Sequence, residues 1–159
     1  MQTKDYIKFE NYRMISLNGM YEMDVNVLDN LLYNIKNIVE TEAPITLNIL
    51  KQRLRDALNV KKISQKALDI IEEKINQLGI IKTQSLYDMV LWPSSGIFEV
   101  KYLRVNYQRQ IYDVPKEELK LLVNELRLTG EALYREILKY FGYEVLTEKA
   151  RKYLEYIEK

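Results

Sequence analysis

Residues 45–59 and 128–142 carry one pattern twice, at a constant offset of 83 positions and without a gap. In each copy an apolar residue and a Thr (Ile45-Thr46, Leu128-Thr129) are followed by a Leu four positions after the Thr (Leu50, Leu133). An aliphatic residue comes four further on (Leu54, Ile137), then a bulky apolar residue and a turn residue (Leu58-Asn59, Phe141-Gly142). A second hydroxyl residue (Ser64, Thr147) and a Lys-Ala pair (Lys66-Ala67, Lys149-Ala150) keep the same offset. Apolar residues at four-residue steps between hydroxyl caps describe helix, turn, helix. The chain is therefore read as one structural unit used twice.

The surrounding periodicity extends this reading. Residues 1–25 lack helical period and are expected to form an N-terminal arm. Val27, Leu28, Leu31, Leu32, Ile35, Ile38 and Val39 recur at three- and four-residue steps and predict a helix, with Asn26 as its cap. Pro44 forces Ala43 to be extended. Thr46 then caps a second helix and Ser64 a third, which Gly79 ends. Ile80–Gln84 and Tyr87–Trp92 predict a hairpin turning at Ser85-Leu86, and this helix, strand, helix, helix, hairpin order is that of a winged helix. Pro93-Ser94-Ser95-Gly96 is the one clustered breaker stretch. The alternation of Phe98, Val100 and Tyr102 predicts one more strand. Asp113 with Pro115 opens a fourth helix to about Leu126, and the repeat supplies helices at about 130–141 and 148–158. The expected fold is mainly α with a small β-hairpin. Its divisions are an arm (1–25), a winged-helix unit (26–92), a basic connecting segment (93–112) and a second helix-turn-helix unit without a wing (113–159).

Composition narrows the chemistry. The 159 residues contain neither Cys nor His, which excludes disulfides, thiolate metal sites and thiol nucleophiles and removes the commonest general base and metal ligand, so zinc is not expected. No Gly-rich phosphate loop or nucleophile elbow is present. The carboxylate pairs Glu40/Glu42, Glu72/Glu73 and Glu117/Glu118 fit helix ends and an exposed face better than an acid–base site. No enzymatic activity and no cofactor or metal are expected. No apolar run reaches the roughly 18 residues that a membrane span requires, and the N-terminus lacks the basic-then-apolar order of a secretory signal. A cytoplasmic location follows as the default.

A net charge of +1 is unevenly distributed. Residues 1–44 carry −3, residues 45–112 carry +5 and residues 113–159 carry −1. The basic middle holds the candidate nucleic-acid contacts: Arg53 and Arg55 on the second helix, Lys61 and Lys62 in the turn, and Lys66 opening the third helix. Lys82 on the wing and Lys101, Arg104 and Arg109 in the connecting segment extend the row. Clustered cations of this kind contact phosphates, or they are simply solvated faces of ordinary helices. The third helix also carries Asp69, Glu72 and Glu73, which repel phosphate, and it is not rich in the Arg, Asn and Gln of base-edge readers. Sequence-specific recognition is disfavoured. Tyr102, Tyr107 and Tyr112 interleave with the later cations, a pattern that stacks single-stranded bases or packs a connecting strand. Trp92, the only Trp, is expected to anchor the wing to the core.

The stretch Ile38-Val39-Glu40-Thr41-Glu42-Ala43-Pro44-Ile45-Thr46, with Leu50 and Arg53-Leu54-Arg55-Asp56-Ala57 after it, resembles a known family. It is similar to the C-terminal domain of unknown function of large bacterial superfamily-1 helicase-related proteins, which often carry a Vsr-like restriction-endonuclease-fold domain. Trp92, Lys101 to Arg104, Ile111-Tyr112-Asp113-Val114-Pro115-Lys116-Glu117-Glu118 and Phe141-Gly142-Tyr143 continue the resemblance over about residues 27–159. Ala43 and Thr46 depart from it, standing where the family has Gly and His. The resemblance implies an accessory domain of a DNA-processing or defence system beside a helicase or nuclease protein, and with the basic segment the chain is expected to be a noncatalytic module that binds nucleic acid mainly through phosphates. Two other readings stand with it: a protein–protein docking module of such a system, and a free-standing winged-helix transcriptional regulator.

Overall fold

Helix boundaries in the computed structural model, which describes residues 1–159, follow capping chemistry. In chain order the elements are β1 (Gln2–Asp5), α1 (Leu17–Tyr21), α2 (Val25–Glu42), β2 (Ile45–Thr46), α3 (Leu47–Leu58), α4 (Gln65–Gln77), β3 (Ile81–Gln84), β4 (Met89–Trp92) and β5 (Tyr102–Val105). A 3-10 turn (Ile111–Asp113) leads to α5 (Lys116–Leu126), α6 (Gly130–Tyr140) and α7 (Glu148–Glu158). The chain is thus mainly α with two small sheets. None of its helices is long and apolar enough to cross a membrane.

Asp24, Thr46, Ser64 and Thr147 each accept a hydrogen bond from the backbone N–H three residues on, which closes the first turns of α2, α3, α4 and α7. The repeat is visible in these boundaries. Asn59 (φ 53°) and Gly142 (φ 82°), 83 positions apart, both take left-handed backbone in the turn after the corresponding helix, as Asn and Gly do most easily. One expected equivalence is broken. Thr129 makes no capping bond, and the Gly130 N–H instead donates to Glu158 Oε2 at 2.9 Å, so the end of α7 caps α6.

The chain forms two units, each made of separate stretches. One comprises Ile7–Thr83 and Val90–Ile97. Its core is built by Leu31, Ile35 and Ile38 of α2, Leu50 and Leu54 of α3, Ile71 and Ile75 of α4, and Leu91 of β4. The three-stranded sheet runs β2–β4–β3, with Ile45 opposite Leu91 and Thr46 opposite Val90 in antiparallel register. Trp92 is buried and its Nε1–H donates to Thr83 Oγ1 at 2.9 Å, which ties β4 to β3.

The second unit comprises Met1–Tyr6, Gln84–Met89 and Phe98–Lys159. Here β1 pairs in parallel with β5, Gln2 opposite Tyr102 through Asp5 opposite Val105. The helices α5, α6 and α7 close over Leu103, Leu119, Leu122, Leu133, Ile137, Tyr153 and Leu154.

Two sequence expectations are corrected by this division. Residues 1–25 are not a separate arm. Residues 2–5 are a strand of the second unit, whereas Ile15 and Met20 are buried in the first core. Nor is 93–112 only a connecting segment, since 93–97 belong to the first unit and β5 and the 3-10 turn to the body of the second. Every side chain of β1 is exposed, so the strand is held by backbone bonds and leaves no apolar alternation to read.

Asn34 is fully buried and clamps the segment before α1: its Oδ1 accepts from Arg13 N at 2.8 Å and its Nδ2 donates to Arg13 O at 2.7 Å. Asn34→Leu removes both partners at once. We expect it to cost about 1–3 kcal/mol in urea denaturation and to speed proteolysis near residues 7–16. A loss below about 0.5 kcal/mol, within ordinary surface effects, would mean that apolar contacts alone hold the segment.

Candidate nucleic-acid interface

The nine candidate cations separate into two groups once side-chain burial is considered. Arg53 is 2% exposed and forms a forked pair with Glu42, with Nη2 to Oε1 at 2.8 Å and Nε to both carboxylate oxygens at 3.1 Å. Glu42 also accepts the Phe9 N–H at 3.1 Å. Arg104 and Arg109 share the carboxylate of Glu118, each with a guanidinium nitrogen at 2.8 Å. Arg104 and Arg109 are also buried, with their guanidiniums 4.7 and 5.0 Å from the centre of the Tyr6 ring. These three cations are internal ties, and the expectation that they contact phosphate is corrected. Burying a guanidinium requires a paired carboxylate, and each of these has one.

Burial alone would raise the pKa of Glu118, but the hydrogen bond and charge of Arg104, joined by those of Arg109, outweigh it and hold the carboxyl below its ordinary range. Two other shifts belong to packing. Burial, then the hydrogen bond to Glu158, pushes Tyr134 up to about 12. Tyr153 is also raised by burial, and its hydroxyl donates to Val114 O at 2.6 Å. No group of three or more carboxylates is arranged to hold a metal ion.

The exposed group centres on the turn between α3 and α4. Lys61, Lys62 and Lys66 are exposed and Arg55 is half-buried. The left-handed Asn59 turns the chain so that Lys61 and Lys62 precede the Ser64 cap. Tyr21 and Ser64 share a hydrogen bond of 2.6 Å, and Lys66 Nζ lies 4.7 Å from the Tyr21 ring centre. The amides at the start of α4 add the positive end of the helix dipole. Asp69, Glu72 and Glu73 are exposed further along the same helix.

Lys82 does not join this cluster. Its Nζ donates to Asn76 Oδ1 at 2.6 Å, near the far end of α4, and the ten helical residues from Lys66 to Asn76 span about 15 Å. Lys101 is exposed just before β5, in the other unit. The hairpin turn, Ser85 to Asp88, carries no cation. Tyr87 there donates to Lys149 O at 3.1 Å and lies 6.2 Å from the Tyr153 ring. Contact with phosphate through the hairpin tip is thereby disfavoured.

The three interleaved tyrosines take separate roles. Tyr102 lies under Lys4, Tyr107 stacks on Tyr6, and Tyr112 packs against Lys149, whose Nζ is 3.8 Å from its ring centre. They form no continuous stacking row. The participation of Tyr21 had no signal in the sequence, because α1 is five residues long and shows no period. No protein-family model, curated protein or solved structure matches this chain.

Proposed function

We propose that the chain is a noncatalytic winged-helix module that docks nucleic acid through phosphate contacts at the α3–α4 turn. Its place would be as a cytoplasmic accessory of a helicase or nuclease system. The observation that carries this reading is the grouping of Lys61, Lys62 and Lys66 around the capped start of α4, where cations and oriented amides act together on an anion. The order α2, β2, α3, α4, β3, β4, with the sheet ordered β2–β4–β3, supports a winged helix. The second unit supplies a further helix-turn-helix, α6 and α7. The helicase or nuclease association rests on the sequence resemblance.

Binding that depends on phosphates follows salt. Log affinity for duplex DNA should fall linearly with log salt, and Lys61→Glu with Lys62→Glu should make that slope shallower by about 2. Both side chains are exposed, so stability should stay within about 0.5 kcal/mol of the parent. No binding at low salt, or an unchanged slope in the double variant, rejects the interface. A protein-docking role is the second reading. It is favoured by the acidic outer face of α4 and by the cation-free hairpin tip, and it predicts partner binding that survives the same substitutions.

A further inference from the structure

The second unit contains a cleft of about 300 Å3 walled by Arg104, Asn106, Tyr107, Gln108, Tyr140 and Phe141. None of the exposed cations of the proposed interface lies in it. The volume is at the small end of ligand pockets, which run from about 300 to 1,000 Å3, so it suits one heterocycle and not a large molecule. Its aromatic walls are held in place. Tyr107 is backed by Tyr6 with ring centres 4.7 Å apart and planes 17° from parallel. Tyr140, 45% exposed, meets Phe141 edge-on at 5.7 Å. A ring that is fixed before binding loses little freedom when a planar ligand stacks on it.

The polar walls are equally constrained. Asn106 has left-handed backbone (φ 61°) and donates one amide hydrogen to Asp5 Oδ1 at 2.7 Å. Gln108 donates to Tyr143 Oη at 2.8 Å, and that hydroxyl donates to Arg109 O at 2.7 Å. Each amide therefore keeps a carbonyl oxygen and a second N–H for a ligand. A side by side acceptor and donor is the complement of a nucleobase edge. The Arg104–Glu118–Arg109 cluster carries two guanidiniums on one carboxylate and disfavours a cationic ligand, while Asp5 beside Asn106 repels a phosphate there.

We propose that this cleft seats one unpaired nucleobase, stacked against the Tyr107, Tyr140 and Phe141 walls and held at its edge by Asn106 and Gln108. The proposal rests on the reading of the chain as a nucleic-acid-binding module and adds a preference for single strands. The test uses the full chain with three probes: 5′-dTMP, an oligo(dT) strand and a blunt duplex. Amide NMR shifts of residues 104–108 and 140–141 should move with oligo(dT), and Tyr140→Ala should weaken oligo(dT) binding about tenfold, the range for losing one stacked base. Gln108→Ala should weaken it too, and duplex binding should be unaffected by either. Matching shifts with dTMP would show that the nucleotide suffices; shifts with oligo(dT) only would assign the site to strands.

Oligo(dT) binding that leaves those amides and both variants unchanged overturns the cleft and leaves the phosphate interface standing. So does duplex binding without oligo(dT) binding. If neither polymer binds at low salt, both proposals fall.

Discussion

Glu118→Gln should destabilise the protein by about 3–5 kcal/mol, because it leaves two buried guanidiniums without a counter-charge while preserving side-chain shape. The carboxylate is fully buried and carries both arginines, and it also accepts the Arg104 backbone N–H at 3.0 Å. Urea denaturation followed by circular dichroism measures the loss. The pH dependence gives a second, independent readout. The folded pKa of Glu118 is held below its ordinary value of 4.5. Its stabilisation is therefore complete above the unfolded value and is lost as pH falls through the folded one. The gap between wild type and Glu118→Gln should be constant from about pH 5 to 7 and shrink below about pH 4, where the unfolded carboxyl binds its proton. A gap independent of pH, or a cost under about 1 kcal/mol, the range of an exposed pair, would show that the cluster is solvated.

Arg53→Ala should cost a similar amount in the first unit, about 3–5 kcal/mol, by stranding Glu42 without its cation. Glu42 is wholly buried and Arg53 nearly so, so solvent screens the pair little. Replacing both together separates pairing from packing. Glu42→Leu with Arg53→Met should recover most of the loss, since apolar residues of similar volume often match a buried ion pair. Recovery should stop about 1–3 kcal/mol short, because the Phe9 N–H loses its acceptor. Urea midpoints of the two single variants and the double variant form the cycle. Additive single losses would show that the two side chains act independently. The double variant should also keep the parental salt slope for DNA, as expected of an arginine that contacts protein and not phosphate.

Arg53 shows how far the sequence could be read. Its neighbours Leu50, Leu54 and Ala57 lie on the buried face of α3, and Arg53 follows Leu50 by three positions and precedes Ala57 by four. Helical period alone therefore places it inward, and a cation on such a face needs an internal carboxylate. Arg53 also continues the basic row of Lys51 and Arg55, which by itself points to solvent. Arg104 and Arg109 had no such periodic signal. A carboxylate fourteen positions from one and nine from the other meets both only after β5 and α5 pack. Lys61, Lys62 and Lys66 remained exposed because they fall in a turn and on the outer side of a helix start, where period and capping both point to solvent. The cleft was not legible, since Asn106 and Gln108 lie in an aperiodic loop and Tyr140 comes from a helix more than thirty positions later.

The offset of 83 determined what local forces decide: where helices begin, where left-handed turns fall and which stripes are apolar. Those properties depend on neighbours three or four positions away, so they survive being read from the chain. Only the tertiary structure decided that β1 is a strand, that Glu158 replaces Thr129 as a cap, and that three of nine candidate cations are internal. Each of these is a backbone or charge pairing between distant positions. Its free energy comes from desolvation and geometry at the contact, and no periodicity along the chain records it.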